Sequence, residues 1–529
     1  MARAAAHTVA LVAAMPKRTN VTSETTLLQS TSPTDDNRGQ DDNEKFTFEQ
    51  PEMLRNMADR IKSRTRKASL FTQQMAHATS SSPTKPQQPP TSSPAKTVRR
   101  RPKRPSRDEI SERPAQRHKS LEDDKNPIES TITEPTPPTP RTTPTAPTPE
   151  AIRPTNDTEA YLAFAAKVIK ALEIRRKPRP KRFGDRQNTT ILRLLQTATP
   201  ATSQEILFLT GAEAADLLAP GVFHNGPILT EGQQPMPLQR IEDFLGEFYD
   251  DETRVFVQDP SVAFSSAHNF VREVTIGAVK KRLLQQGKSK GRPWNCLELA
   301  THVEDGLRPA FLAGEDCRLL TKLKLENNTA TTAAGRRSYP QGYKEVEKWA
   351  LLAEAGALTE PHQDSHGYST YITANQGLIG FGWLSYPSAS DRATWTSNPS
   401  SIPGNAYRYV VLKPGQTVFF PAGTVHFVFR LPAGSGGGHT LAFGGHVLRC
   451  SGVLHWVRTL LEEKASPDVT NEDLTSSAVG YLERVKRFVR LAVEKSQKDG
   501  DGGTEALDKW GGAEAVGEFL RLKEEFMGE

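Results

Sequence analysis

Between Val346 and Leu448, apolar residues recur at every second position in short runs separated by Gly- and Pro-bearing turns. Successive side chains of a strand point to opposite faces, so such runs read as strands with a buried face. The pattern predicts strands at Val346–Ala353, Tyr368–Ile372, Leu378–Leu384, Tyr407–Leu412, Thr417–Phe420, His426–Arg430 and Thr440–Leu448. Lys413-Pro414-Gly415-Gln416 and Pro421-Ala422-Gly423 are turn sequences. Ser385–Asn405, rich in Ser, Pro and Asn, reads as a surface insertion over one end of this unit. Many short strands with Gly/Pro turns suit an antiparallel double-sheet jelly roll.

Helical spacing flanks the strands on both sides. Thr158–Ile174 places Tyr161, Leu162, Phe164, Val168, Ile169 and Leu172 at helical intervals, with Asp157 and Thr158 as candidate caps. Thr189–Thr197 and Ser203–Leu218 look helical or mixed, and Leu238–Phe248 is amphipathic. Thr253–Asp259 alternates like an edge strand. Asn295–Leu312 is mixed, and Glu326–Arg337 is small and polar, as in a loop. Beyond Ser451, the stretches Val453–Lys464, Ser477–Lys495 and Ala513–Phe526 each carry an apolar stripe, which predicts helices packed on a core.

Composition changes the picture at the N-terminus. The chain has 529 residues, a formal charge of +6 and only 36% hydrophobic residues, which implies that part of it does not fold. Seventeen of its 39 prolines lie between Pro83 and Pro154, interleaved with Ser and Thr. Such a segment cannot bury enough apolar surface to offset chain ordering. Pro51–Arg107 holds 14 Lys/Arg against 2 Asp/Glu, densest at Arg99-Arg100-Arg101-Pro102-Lys103-Arg104-Pro105-Ser106-Arg107. That cluster reads as a nuclear import signal or a nucleic-acid patch. A second basic run, Arg175–Arg182, follows the first predicted helix. Cys296, Cys317 and Cys450 are widely spaced and form no CxxC pair, so neither a zinc finger nor a disulfide framework is expected. No run approaches the roughly 20 apolar residues that span a bilayer.

The organisation expected is a basic Pro/Ser/Thr-rich tail over 1–155, a helical or mixed part over 156–290, a strand-rich barrel over 291–455 and a helical region over 456–529. The candidate chemistry lies in the third. His362 and Asp364 are two apart on a predicted strand, so they share a face. His426 lies at the head of a later strand, after the Pro-Ala-Gly turn. Two imidazoles and one carboxylate can cap one face of a metal ion and leave other positions open, the ligand set of non-haem Fe(II) oxygenases. His366, His439 and His446 stand close by and read as structural or supporting residues.

The local context is more specific than the triad alone. Ala357-Leu358-Thr359-Glu360-Pro361-His362-Gln363-Asp364-Ser365-His366-Gly367 precedes, and Leu412-Lys413-Pro414-Gly415-Gln416-Thr417-Val418-Phe419-Phe420-Pro421-Ala422-Gly423-Thr424-Val425-His426 follows. Here the sequence resembles the JmjC (jumonji C) family of cupin-type Fe(II)- and 2-oxoglutarate-dependent oxygenases, most of all its fungal members. The resemblance is specific over about 345–450, weaker from about 220, and absent from the N-terminal third.

The resemblance implies a fold that is mainly β with flanking helices: a double-stranded β-helix (jelly-roll, cupin) barrel behind a long disordered N-terminal tail, with a helical C-terminus. It implies His362, Asp364 and His426 as Fe(II) ligands, 2-oxoglutarate as cosubstrate, and O₂-dependent hydroxylation of a protein. On an N-methyl group, such hydroxylation ends in demethylation, so histone tails are candidate substrates and the nucleus the expected compartment. Thr359 occupies the position where the family commonly places a cosubstrate hydroxyl. One departure stands out. Many members carry a lysine in the window that here reads Gly377-Leu378-Ile379-Gly380, which has no cation. Arg430 and Arg408, with Lys413 after them, are the candidates to replace it. The alternative is a non-catalytic scaffold that binds chromatin or nucleic acid through its basic tail.

Overall fold

The computed structural model describes residues 152–528, apart from 220–223, 285–290, 301–306, 329–346, 400–405, 471–473, 475 and 500–503. The expectations for the N-terminal tail and for the Arg99–Arg107 signal therefore fall outside the described residues.

Helix α1 (Thr158–Arg175) starts where Asp157 accepts a hydrogen bond from the Ala160 amide at 3.2 Å, the usual role of an N-cap carboxylate. It buries Tyr161, Phe164, Val168 and Leu172. After α2 (Phe183–Thr197) come β1 (Thr199–Pro200), β2 (Leu207–Phe208), α3 (Gly211–Leu217), β3 (Ile228–Glu231) and α4 (Ile241–Phe248). Then follow β4 (Arg254–Gln258), β5 (Val271–Thr275), α5 (Ile276–Leu284), β6 (Asn295–Ala300) and α6 (Leu319–Asn328). The strand-rich part continues with β7 (Trp349–Ala353), β8 (Thr359–His362), β9 (Ser369–Gln376) and β10 (Ile379–Leu384). Helix α7 (Ala389–Ser397) separates these from β11 (Tyr407–Leu412), β12 (Gln416–Phe420), β13 (His426–Phe429) and β14 (Thr440–Val447). Four helices close the chain: α8 (Val453–Ala465), α9 (Ser476–Asp499), α10 (Thr504–Asp508) and α11 (Ala513–Met527).

The strands form two sheets. One runs β1-β11-β10-β13-β8, the other β2-β3-β12-β9-β14-β7-β6-β4-β5. The sheets meet through inward aromatic rings: Phe381 of β10 lies 5.1 Å from Phe420 of β12, and Phe420 lies 4.7 Å from the His426 ring. The outer face of the smaller sheet packs under α1, with Phe164 at 5.9 Å from Phe429. Glycines make that face possible. A Cβ on Gly382 would sit 2.2 Å from the Phe427 ring and one on Gly380 2.4 Å from the Phe429 ring, closer than packed atoms approach.

Several expectations are revised. Thr253–Asp259 is not an edge strand: β4 pairs with β5 on one side and β6 on the other. Its second partner comes from 295–300, where the alternation is weak. Ser385–Asn405 is not simply irregular. It contains α7, nucleated by a capping box in which Ser388 and Asp391 satisfy each other's backbone amides. Trp395 of α7 is fully buried. Strands from the 156–290 part join both sheets, β1 beside β11 and β3 beside β12, so the sheets do not begin at residue 291. The C-terminal helices fall where the apolar stripes placed them and share a core around Trp456, Leu482, Val489 and Phe519. No helix among the described residues is long and apolar enough to cross a membrane. All three cysteines are buried free thiols.

Candidate metal centre

His362 ends β8 and His426 begins β13, and the two residues are direct register partners. Extended backbone continues through Asp364 (φ −67°, ψ 143°), so the alternation that aims His362 inward also aims Asp364 inward. Asp364 Oδ1 lies 3.7 Å from the Nε2 of His362 and 3.7 Å from the Nε2 of His426. One ligand atom from each of the three residues falls within 4.8 Å of the others, close enough to share one ion.

Hydrogen bonds set the tautomers. Nδ1 of His362 lies 2.9 Å from the carbonyl of Glu360, and Nδ1 of His426 lies 3.1 Å from that of Thr424. A carbonyl can only accept, so each Nδ1 carries the proton and each Nε2 presents a lone pair toward Asp364. This is how a protein prepares neutral imidazoles for a metal. Burial raises the Asp364 pKa, but positive charge on the His426, His446 and His362 imidazoles when they are protonated, together with the Thr370 hydroxyl, outweighs it and holds the carboxyl below the usual carboxylate range in the metal-free protein.

A second layer fixes the carboxylate. Thr370 of β9 donates to Asp364 Oδ2 at 2.5 Å. Its single proton is thereby used, so its oxygen must accept from His446 Nδ1, 2.9 Å away. His446 is thus a supporting residue, as the sequence suggested. His439 accepts from the Ala355 amide at 3.1 Å and is structural. His366 adopts a left-handed backbone (φ 63°), held where its amide donates to Glu463 and its carbonyl accepts from Trp456 of α8.

The candidate cosubstrate residues separate clearly. Thr359 pairs with Val428 in register, on the inward face beside the triad. Its hydroxyl accepts from Asn295 Nδ2 at 3.3 Å, which leaves its own proton to donate. Arg430 follows β13 on the same alternation as His426 and Val428. It is 2% exposed, and its Nε donates to the Thr440 hydroxyl at 2.7 Å. Its Nη1 is buried with no hydrogen-bond partner among the described residues, and burial pushes the guanidinium down to about 10. Asn295 Oδ1 and Trp349 Nε1 are likewise buried and unpartnered. Arg408, by contrast, is ion-paired with Glu205, and Lys413 lies at the surface beside Asp157. Of the three cations, Arg430 alone is buried with no ion pair among the described residues.

A cleft of about 340 Å³, lined in part by Trp383, Tyr386, Arg392, Thr424 and Glu462, reaches the turn just before His426 but is not lined by the three triad residues themselves. Trp383 is the register partner of His426 on the other side of β13 from His362. Sequence reasoning missed Thr370, Asn295 and Arg392. Thr370 alone had a signal: it falls on the inward face of a predicted strand just after Asp364. No protein-family model matches the chain.

Proposed function

We propose that this protein is a JmjC-type Fe(II)- and 2-oxoglutarate-dependent oxygenase acting on a protein substrate, as a histone lysine demethylase or a protein hydroxylase. In this reading the two facing sheets are a double-stranded β-helix. The observation that carries the reading is the convergence of two Nδ1-protonated imidazoles and one carboxylate, each presenting a ligand atom to the same point. Two nitrogen ligands and one oxygen ligand suit Fe(II), which keeps further positions for cosubstrate and O₂. When bound, the metal supplies O₂ activation coupled to decarboxylation of 2-oxoglutarate and hydroxylation of a substrate C–H bond.

The chain's own residues divide the remaining work. His362, Asp364 and His426 hold the ion, and Thr370 orients the Asp364 carboxylate. Arg430 replaces the lysine missing from 377–380 as anchor for the far carboxylate of 2-oxoglutarate, with Thr359 and Asn295 as further polar partners. A buried guanidinium with a spare N–H is costly by itself and becomes favourable once a carboxylate neutralises it. The cleft lined by Trp383 and Tyr386 gives the protein substrate its approach. Nuclear import through Arg99–Arg107 belongs to the same reading.

The test is succinate formation from 2-oxoglutarate by purified protein with Fe(II) and O₂, without a protein substrate. Turnover is expected in the wild type and absent in His362→Ala. A second reading draws on the cation-free window 377–380 and on the exposed run Arg176–Arg182: a non-catalytic scaffold that contacts chromatin or nucleic acid. A chain that binds Fe(II) but neither binds nor turns over 2-oxoglutarate would establish that reading instead.

A further inference from the structure

Helix α7 belongs to the inserted stretch, outside both sheets, yet one of its side chains reaches the chain segments on either side of the triad, just after β8 and just before β13. Arg392 donates from Nη2 to Gln363 Oε1 at 2.6 Å and from Nη1 to the Gly423 carbonyl at 2.8 Å. It also forms a fork on Glu462 of α8, Nε to Oε1 at 2.7 Å and Nη2 to Oε2 at 2.9 Å. A bidentate guanidinium–carboxylate pair fixes the plane of the side chain, so the other two bonds are directed rather than incidental.

The two acceptors matter because of where they lie. Gln363 sits between His362 and Asp364, and by alternation its side chain points away from the metal side. That side chain is fully buried, and its backbone amide donates to the Val469 carbonyl at 3.1 Å. Gly423 lies in the left-handed turn (φ 72°) before β13, one residue from the Thr424 carbonyl that fixes the His426 tautomer. One guanidinium therefore holds the peptide between two of the ligands and the turn that positions the third.

We infer that Arg392 is a positioning residue for the metal centre: it sets the spacing between the His362–Asp364 segment and the His426 turn. The inference rests on the metal reading above. Arg392 touches no ligand atom and acts through Gln363 and Gly423. Because it also lines the 340 Å³ cleft, the ordering of α7 and the geometry of the metal site are linked through this one side chain.

The experiment uses the full chain and Co(II) alone as probe, since the visible spectrum of Co(II) reports ligand geometry. Outer-layer supports of metal ligands are typically worth about 10–100-fold in metal affinity. Arg392→Ala should weaken Co(II) binding by about that factor, change the spectrum, and be partly rescued by added guanidinium ion but not by K⁺ at equal ionic strength. Arg392→Lys keeps the charge but loses the planar fork, and should fold with weakened binding even where the alanine variant does not. Lys486→Ala, which breaks an ion pair to Glu524 between C-terminal helices, controls for general loss of stability and should bind Co(II) as the wild type does. Wild-type affinity and spectrum in both Arg392 variants, or an equal loss in Lys486→Ala, would overturn the inference. A wild-type chain that binds no Co(II) would overturn the metal reading itself, and this one with it.

Discussion

The Thr370 hydroxyl stands 2.5 Å from Oδ2 of Asp364, while Oδ1 of the same carboxylate faces the two imidazoles. One oxygen is held and the other offered. Thr370→Val keeps the shape of the side chain and removes its two hydrogen bonds, to Asp364 and from His446. Metal affinity should fall about tenfold or more, measured by Co(II) titration. Unchanged affinity would show that packing alone holds Asp364 in place.

Arg430 gives a test with two readouts of opposite sign. Its guanidinium is buried, and its Nη1 has no hydrogen-bond partner among the described residues. Replacing it by Met keeps much of the volume and removes the buried charge. Without ligand, Arg430→Met should be more stable than the wild type, on the order of 1 kcal/mol or more, by thermal unfolding. The same variant should lose 2-oxoglutarate binding while retaining the metal. A variant that still binds 2-oxoglutarate normally would place the anchor elsewhere.

Acid sensitivity follows from buried imidazoles away from the triad. Burial pushes His455 below the ordinary histidine range, and does the same to His439 against the opposing pull of Glu354 and Glu242. The unfolded chain takes up protons near pH 6.5 that these folded sites resist. Unfolded protein thus binds more protons at lower pH, and stability falls as pH drops below about 6.5. Melting temperature measured without metal should be flat above neutrality and decline below it. His455→Gln should shallow that decline. An unchanged slope would mean that other groups govern it.

Gly382 tests the outer face of the smaller sheet. A Cβ there meets the Phe427 ring, itself fully buried. Gly382→Ala should cost roughly 1–3 kcal/mol by overpacking, read from denaturant midpoints. Wild-type stability would mean that Phe427 can move aside freely.

What was legible in the sequence was what depends on local spacing. His362 and Asp364 share a face because strand side chains alternate, and His426 announced itself by the turn before it. The same alternation placed Arg430 inward. It could not show that Arg408 is neutralised, because Glu205 lies 203 residues away in the chain. Asn295 reaches Thr359 across 64 residues, and no local pattern encodes that meeting. Helix α7 was hidden by composition: Ser, Pro and Asn read as a loop, while Ser388 and Asp391 were the start signal of a helix. Arg392 was invisible for the same reason, since its role exists only once α7 is folded against α8.

The pairing of β1 with β11 and of β3 with β12 bears on how the molecule can be divided. A fragment that began at residue 291 would leave the backbone amides and carbonyls of β11 and β12 open, and those of β6 as well, since β4 is lost with β1 and β3. It would also uncover the face that α1 protects. Open strand margins recruit other strands, so such a fragment is set to self-associate rather than to remain a monomer. The early segment from Thr158 to Glu231 thus guards the strand-rich region against aggregation, although it contributes none of the three candidate ligands.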